Sequence, residues 1–241
     1  MEAAHLQELM TLESSYWWHV AKQRLATSLL STYVRTPASI VEGGIGAGGN
    51  LLYWQSMGYE VHGLDIMEES VYNARQRGIA SVHQHDLHEP WPVENNSAQA
   101  VVLLDVLEHL QDPVVALRHA ANALSDDGKI IFTVPAHPWL FNEWDERLGH
   151  YRRYTSEMMR SQVKQAGLRL VKMRPWNAIS LPIAVMLRTY RKLFPKNTGA
   201  EFPRVGQLVN RSLIQILEYE RCWSPHLRPP FGLSIVGVIS K

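Results

Sequence analysis

Five glycines crowd the stretch "IVEGGIGAGGNL", residues 40–51, between two apolar pairs. A backbone so bare of side chains lets a ligand approach its amide groups directly. Gly44, Gly46 and Gly49 satisfy G-x-G-x-x-G, and Gly48 adds the tighter G-x-G-x-G reading. Carboxylates recur around this turn: Glu42 two residues before Gly44, Asp65 17 residues after Gly48, then Asp86 and Asp105. An acid in the place of Asp65 suits a ribose diol, and one in the place of Asp86 suits an adenine amino group. His109, His137 and His150 follow later apolar runs, and an imidazole of near-neutral pKa is suited to take a proton from a hydroxyl.

Two ligands unite ribose and adenine with such a turn, a dinucleotide and S-adenosylmethionine. Position separates them better than the glycine spacing does. A dinucleotide fingerprint commonly opens its domain on a strand that is apolar up to the glycines; here residues 5–34 read as helical and come first, and Glu42 interrupts the end of the strand.

The elements that must hold these residues are legible in the hydrophobic pattern. Short apolar or β-branched runs occur at 39–44, 59–65, 81–86, 98–105 and 128–135, each closed by an acid, glycine or proline. Helical patterns lie between them, one with Asp112 as N-cap, Pro113 in its first turn and Gly128 past its end. Such alternation predicts an α/β fold with a mainly parallel sheet, whose ligands sit at the carboxyl ends of the strands. Beyond residue 150 a helix capped by Thr155 and a strand at 168–176 continue the pattern. Two helical stretches over 177–229 then interrupt it before a last strand, "FGLSIVGVISK".

Bulk composition agrees with a globular enzyme-sized chain: 241 residues, 46% hydrophobic and 20% charged, enough to bury a sizeable core. No uncharged apolar run approaches a membrane span and the first thirty residues lack the order of a signal peptide, so a cytoplasmic location is expected. The single cysteine, Cys222, is given no role. Charge is sorted along the chain: residues 1–146 hold 7 Lys and Arg against 19 Asp and Glu, whereas 147–241 hold 17 against 4. The basic part suits a phosphate-bearing partner, an anionic membrane or the acidic part of the same molecule.

The ordered series "VEGGIGAGGNL", "VHGLDI", "HDLHEPWP", "VVLLDVLEHL" and "GKIIFTVPA" resembles the motifs of class I S-adenosylmethionine-dependent methyltransferases. "GHYRRYT" and the ending "PPFGLSIVGVISK" further resemble a bacterial small-molecule or glycan-type subgroup of that family. The resemblance spans almost the whole chain. It implies one Rossmann-like domain with a seven-stranded sheet and helices on both faces, divided into an N-terminal helical cap (1–37), a cofactor-binding core (38–176), a helical insertion or lid (177–229) and a last strand (230–241).

By the same resemblance, Gly44, Gly46 and Gly48 let the backbone approach the methionine part of S-adenosylmethionine while Glu42 orients its ammonium. Arg24 meets its carboxylate, Asp65 takes the ribose hydroxyls, Ile66 packs on the adenine, Asp86 and the Leu87 N–H read its edge, and Asp105 completes the set. The family commonly has Asp at the position of Glu42 and a Cys-Gly-Thr-Gly-like run where this chain reads Ile45–Gly48. Its usual Trp-Ser-x-His-Asp is here "FNEWD", residues 141–145.

The chemistry expected is methyl transfer to an oxygen of a small-molecule, glycan or lipid-linked acceptor. His109 and His150 are the candidate bases, His109 having a structural hydrogen bond as its alternative role. Asp145, Arg152 and Arg153 are candidate acceptor contacts, since arginines grip carboxylate or phosphate, with an internal ion-pair network as the alternative. "DVLEHL" gathers Asp105, Glu108 and His109 in a pattern similar to the divalent-ion sites of some ribose and catechol-type methyltransferases, but no fourth ligand is identifiable and no metal is expected. Tyr16, Trp17 and Trp18 suit either a lid or core packing. The apolar and basic insertion suits a membrane face, a lid or a dimer contact. The rival readings are a cofactor-binding protein without turnover, a basic-surface binder of membrane or nucleic acid, and an NAD-type oxidoreductase. No nucleic-acid-binding module is recognisable, so no nucleic-acid partner is expected.

Overall fold

The computed structural model describes residues 8, 10–193, 205–227 and 229–241. The expected cap and insertion therefore lie in part outside the described residues, at 1–7, 9, 194–204 and 228. A first helix, α1 (Trp17–Tyr33), leads into β1 (Ser39–Gly43), α2 (Gly49–Ser56), β2 (Glu60–Asp65), α3 (Glu68–Gln76), β3 (Val82–Gln84) and β4 (Ala98–Leu104). There follow α4 (Pro113–Ala123), β5 (Leu124–Pro135), α5 (Glu143–Arg147), α6 (Ser156–Gln165) and β6 (Arg169–Trp176). Two insertion helices, α7 (Ser180–Leu193) and α8 (Gln207–Leu227), precede β7 (Ser234–Ser240).

The seven strands form one sheet in the order β3-β2-β1-β4-β5-β7-β6. β1 pairs in parallel with both β2 and β4, β4 with β5, whereas β7 runs antiparallel to β5 and β6. Burial explains why the central strands read as nearly continuous apolar runs: both faces are covered. Val41, Val101, Leu103, Ile130 and Phe132 pack on one face under α4 and α6; Ile40, Ala100, Val102 and Ile131 pack on the other with side chains of α1, α2 and α3. The period-two alternation thus serves two cores rather than a core and solvent.

Local signals place most boundaries. Asp112 accepts the Val114 N–H at 3.0 Å with Pro113 behind it, and Thr155 accepts the Met158 N–H at 3.1 Å. Gly128 is a departure. The helix stops at Ala123 and β5 begins at Leu124, so Gly128 lies inside the strand, where an added Cβ would come within 3.1 Å of the Ala98 carbonyl. Crowding by Leu124 and Ser125 of its own strand and by the Ala98 carbonyl beside it, not a helix end, demands glycine there.

Candidate active site

The glycine turn joins β1 to α2. Gly44, Gly46 and Gly48 all have positive φ, at 73°, 53° and 81°, so their spacing reflects a backbone that side chains rarely tolerate. At Gly44 an added Cβ would meet Val106, whereas beside Gly46 there is open space. Asp65, at the end of β2, steadies this turn: its two oxygens accept the Gly46 and Met67 N–H groups, each at 2.9 Å. Burial raises its pKa against those hydrogen bonds.

Glu42 is buried beneath the turn. Its Oε1 accepts from Asn50 at 2.7 Å while Oε2 has no hydrogen-bond partner, and burial pushes its pKa up to about 8. A buried carboxylate oxygen left unpaired in a residue that lines a cavity is what an ammonium ligand would satisfy. Glu42, Gly44, Gly46, Asp65, Ile66, Asp86, Leu87 and Asp105 all line one cavity of about 1120 Å³. Gly48 sits just behind as the N-cap of α2. Ile66 is 64% exposed, leaving its side chain open for a flat ring to cover. Asp86 accepts from the backbone and ring of His88, each at 2.9 Å, and the backbone bond leads in holding its pKa low. These residues fit S-adenosylmethionine in amine, ribose and adenine chemistry.

Arg24 is not among the cavity-lining residues. It is half exposed and pairs with Glu218 on α8 at 3.8 Å, because the face of α1 that bears it turns towards the insertion. Lys22 enters instead, its ammonium 2.9 Å from Asp105 Oδ2, and Thr133 donates to the other oxygen at 2.8 Å. Burial raises the Asp105 pKa but Lys22 and Thr133 outweigh it, and the net shift is downward. Lys22 lies one helical turn after Trp18, its ammonium 6.0 Å from that ring. Tyr16, Trp17 and Trp18 line the cavity, and Trp18 also stacks on Trp176 at 5.0 Å. Glu13, missed by sequence reasoning, also lines the cavity. It caps α2 through the Gly49 N–H and pairs with Arg77; no local motif marks it.

Beyond Asp105 the cavity continues past Glu108, His109, His150 and Arg153 to Arg188 of α7. The rings of His109 and His150 meet edge to face, centroids 4.5 Å apart. Burial, then the neighbouring His150, lowers the His109 pKa to about 4, which keeps that ring neutral. Glu108 is wholly buried with neither oxygen hydrogen-bonded, and burial together with Asp105 raises its pKa well above the usual range. One potential ligand atom each from Glu108, His109 and His150 falls within 4.8 Å of the others. Asp105, the other acid of "DVLEHL", is taken by the Lys22 ammonium, so a fixed positive charge already stands in this corner. His137 does not line the cavity; it tilts against Trp139.

The segment "GHYRRYT" is laid across the ends of β4 and β5. The Tyr151 N–H donates to the Glu108 carbonyl, His137 N–H to Tyr154 O, and the Tyr154 hydroxyl to Leu107 O. The expected acceptor contacts find other partners here. Asp145, 1% exposed, accepts from His150 Nδ1 at 3.1 Å, from Arg153 at 2.7 Å and from Arg188 at 2.9 Å. Burial alone would raise its pKa; the His150 and Arg153 hydrogen bonds and the two guanidiniums hold it well below the carboxylate range. Arg152 lies outside the cavity lining, donating to Gln111 O and covering the Tyr151 ring. Part of the basic half thus pairs with acids of the acidic half, through Arg153 and Arg188 on Asp145.

The sequence pattern of a family described as "Methyltransferase domain" matches residues 17–173. A ubiquinone biosynthesis O-methyltransferase of Idiomarina loihiensis is 33% identical over 97 residues, which cover 37% of this chain and 40% of that protein. Among solved structures, a Haloferax volcanii methyltransferase in complex with the Trm112 methyltransferase activator superposes with TM-score 0.65 at 19% identity, covering 98% of this chain and 94% of the other. An S-adenosylmethionine-dependent methyltransferase from Archaeoglobus fulgidus gives 0.60 at 15% identity, over 91% and 94%. Fold, sequence pattern and the chemistry of the glycine turn converge: the chain belongs to the methyltransferase-domain family, class I in fold, with S-adenosylmethionine as cofactor.

Proposed function

We propose that the protein transfers a methyl group from S-adenosylmethionine to an oxygen of a small-molecule, glycan or lipid-linked acceptor, with His150 as the proton acceptor. The observation that carries this reading is the His150–Asp145 pair in the same cavity as Glu42 and Asp65. When bound, S-adenosylmethionine supplies a methyl made electrophilic by its sulfonium. What remains for the chain is alignment, exclusion of water and removal of the hydroxyl proton. Asp145 accepts a hydrogen bond from the Nδ1–H of His150 and leaves Nε2 as the proton-accepting nitrogen, a tautomer suited to that task. His109, held neutral, packs on the ring and limits its rotation. Trp17 and Trp18 cover the cavity from α1, and Trp144 covers it from α5.

A specific observation supports peripheral contact with a membrane. Ile183 on α7 and Val209 on α8 line the cavity yet are 48% and 52% exposed, and Met186 and Leu208 extend the apolar surface outward. Among the described residues, no helix is long and apolar enough to cross a membrane. Flotation with anionic liposomes at low salt tests this contact: recovery with the lipid supports it, and protein left at the bottom of the gradient removes it.

For the main reading, calorimetric titration with S-adenosylhomocysteine and, in parallel, NAD fixes the ligand. A methyl-transfer screen of hydroxylated acceptors follows. His150→Gln should lower kcat by about 100-fold or more while leaving S-adenosylhomocysteine affinity intact; unchanged kcat would remove His150 from the chemistry.

A further inference from the structure

Asp145 joins its own stretch of chain, residues 142–153, to a residue 43 positions further on. One oxygen, Oδ1, accepts from the His150 ring and from Arg153; the other, Oδ2, accepts from Arg188 at 2.9 Å and from the Asn142 N–H at 3.1 Å. Arg188 belongs to α7, the first helix of the insertion, and also donates to the Leu140 carbonyl while its guanidinium lies 5.9 Å from the Trp144 ring centre. The Arg188 side chain is 13% exposed, so the contact is well shielded from solvent. One end of the carboxylate therefore aims the imidazole and the other end is fastened to the insertion.

Rotation of the Asp145 carboxylate would break both at once. Arg153 and Arg188 divide its oxygens between them, Arg153 on Oδ1 and Arg188 on Oδ2. With Arg188 in place the carboxylate plane is fixed and Oδ1 stays towards His150. Without it, Oδ2 keeps only a backbone N–H, and the planar fork of Arg153 is free to draw the carboxylate into a two-oxygen pairing of its own. The imidazole then loses its fixed acceptor.

We propose that Arg188 is a positioning residue: by fastening Asp145 to α7 it makes the orientation of His150 depend on the insertion being seated over the cavity. The inference rests on the reading of His150 as proton acceptor and adds a condition to it. With α7 drawn away from Asp145, His150 is unaimed; with α7 seated, it is aimed. Proton removal is thereby coupled to the seating of α7.

Imidazole nitrogen resonances of the full chain, labelled with 15N-histidine and saturated with S-adenosylhomocysteine, test this without knowledge of the acceptor. The signal absent in His150→Gln identifies His150 among the eleven histidines. In the wild type its proton should sit on Nδ1, as a downfield N–H protected from water. In Arg188→Met that N–H should exchange about tenfold faster or more, the loss expected when a charge-assisted hydrogen bond is removed, while S-adenosylhomocysteine still binds within about twofold of wild type. Arg188→Lys, which keeps the charge without the fork, should fall between the two. An Arg188→Met spectrum with the His150 N–H unchanged overturns the inference. If Arg188→Met no longer binds S-adenosylhomocysteine, Arg188→Lys carries the comparison, and wild-type protection there overturns the inference equally. A wild-type proton on Nε2 sinks both the reading of His150 as base and the inference, since Nδ1 then carries no N–H for Asp145 to hold, whereas an Nδ1–H whose exchange ignores Arg188→Met sinks the inference alone.

Discussion

The Glu13 carboxylate accepts the Gly49 backbone N–H at 2.9 Å, at the first residue of the helix that follows the glycine turn. In dinucleotide-binding folds that helix start is where a diphosphate sits. Here an acid side chain already occupies it, backed by Arg77, which also donates to the Ala47 carbonyl at 2.7 Å. A diphosphate would meet like charge. NAD should therefore give no heat in a titration in which S-adenosylhomocysteine binds, and Glu13→Ala should weaken S-adenosylhomocysteine by about threefold to tenfold through loosening of the N-terminal segment over the cavity. NAD binding by the wild type would contradict this.

Asp65 has two duties, the ribose and the turn itself. Because its oxygens fix Gly46 and Met67, Asp65→Ala should weaken S-adenosylhomocysteine by about 100-fold or more, beyond what one lost ligand contact gives. Calorimetry on the variant measures it; a loss under threefold would mean that the turn holds its shape unaided and that the ribose is bound elsewhere.

Glu42 predicts a proton signature. With its pKa raised to about 8 by burial, the carboxyl is mostly protonated at pH 7; an ammonium docking beside it favours the ionised form. Binding should then release up to about one proton and tighten as pH rises from 6 to 8. Titrations in buffers of different ionisation enthalpy count that proton. In Glu42→Gln both the release and the pH dependence should vanish.

His109 predicts the acid limb of stability. Its pKa falls from 6.5 in the unfolded chain to about 4 in the fold, so the unfolded state binds the proton more readily. The stabilisation is complete above pH 6.5 and is lost as pH falls from there through 4, up to about 3 kcal/mol. Urea midpoints between pH 7 and 4 should show this loss in the wild type and a smaller one in His109→Asn.

Lys22 bears on the expectation that no metal is used. Its ammonium lies 2.9 Å from Asp105, supplying beside Glu108 and His109 the positive charge that a divalent ion would bring. Chelation should leave methyl transfer and melting temperature unchanged; a loss that magnesium restores would overturn this.

Sequence legibility followed the range of the interactions. Asp65 and the three glycines were readable because a strand end and a left-handed turn each leave a local mark. Gly128 misled because a helix end and a crowded strand both ask for glycine. Arg24 and Lys22 are two residues apart, and only the helix packing decides which faces the cavity. The role of Arg188 had no local trace at all: its partner Asp145 is 43 residues away, and the pairing follows from how the insertion lies across the strand ends.

The place of β7 sets the order in which the molecule can be made. β5 and β6 do not touch each other in the finished sheet; β7 lies between them. On a ribosome, both must emerge and wait, each with a bare hydrogen-bonding edge, until Ser234–Ser240 arrives to zip them together. Strands β3, β2, β1 and β4 face no such delay, so the glycine turn and its acids can take shape on the nascent chain before β7 and the helices that precede it are in place.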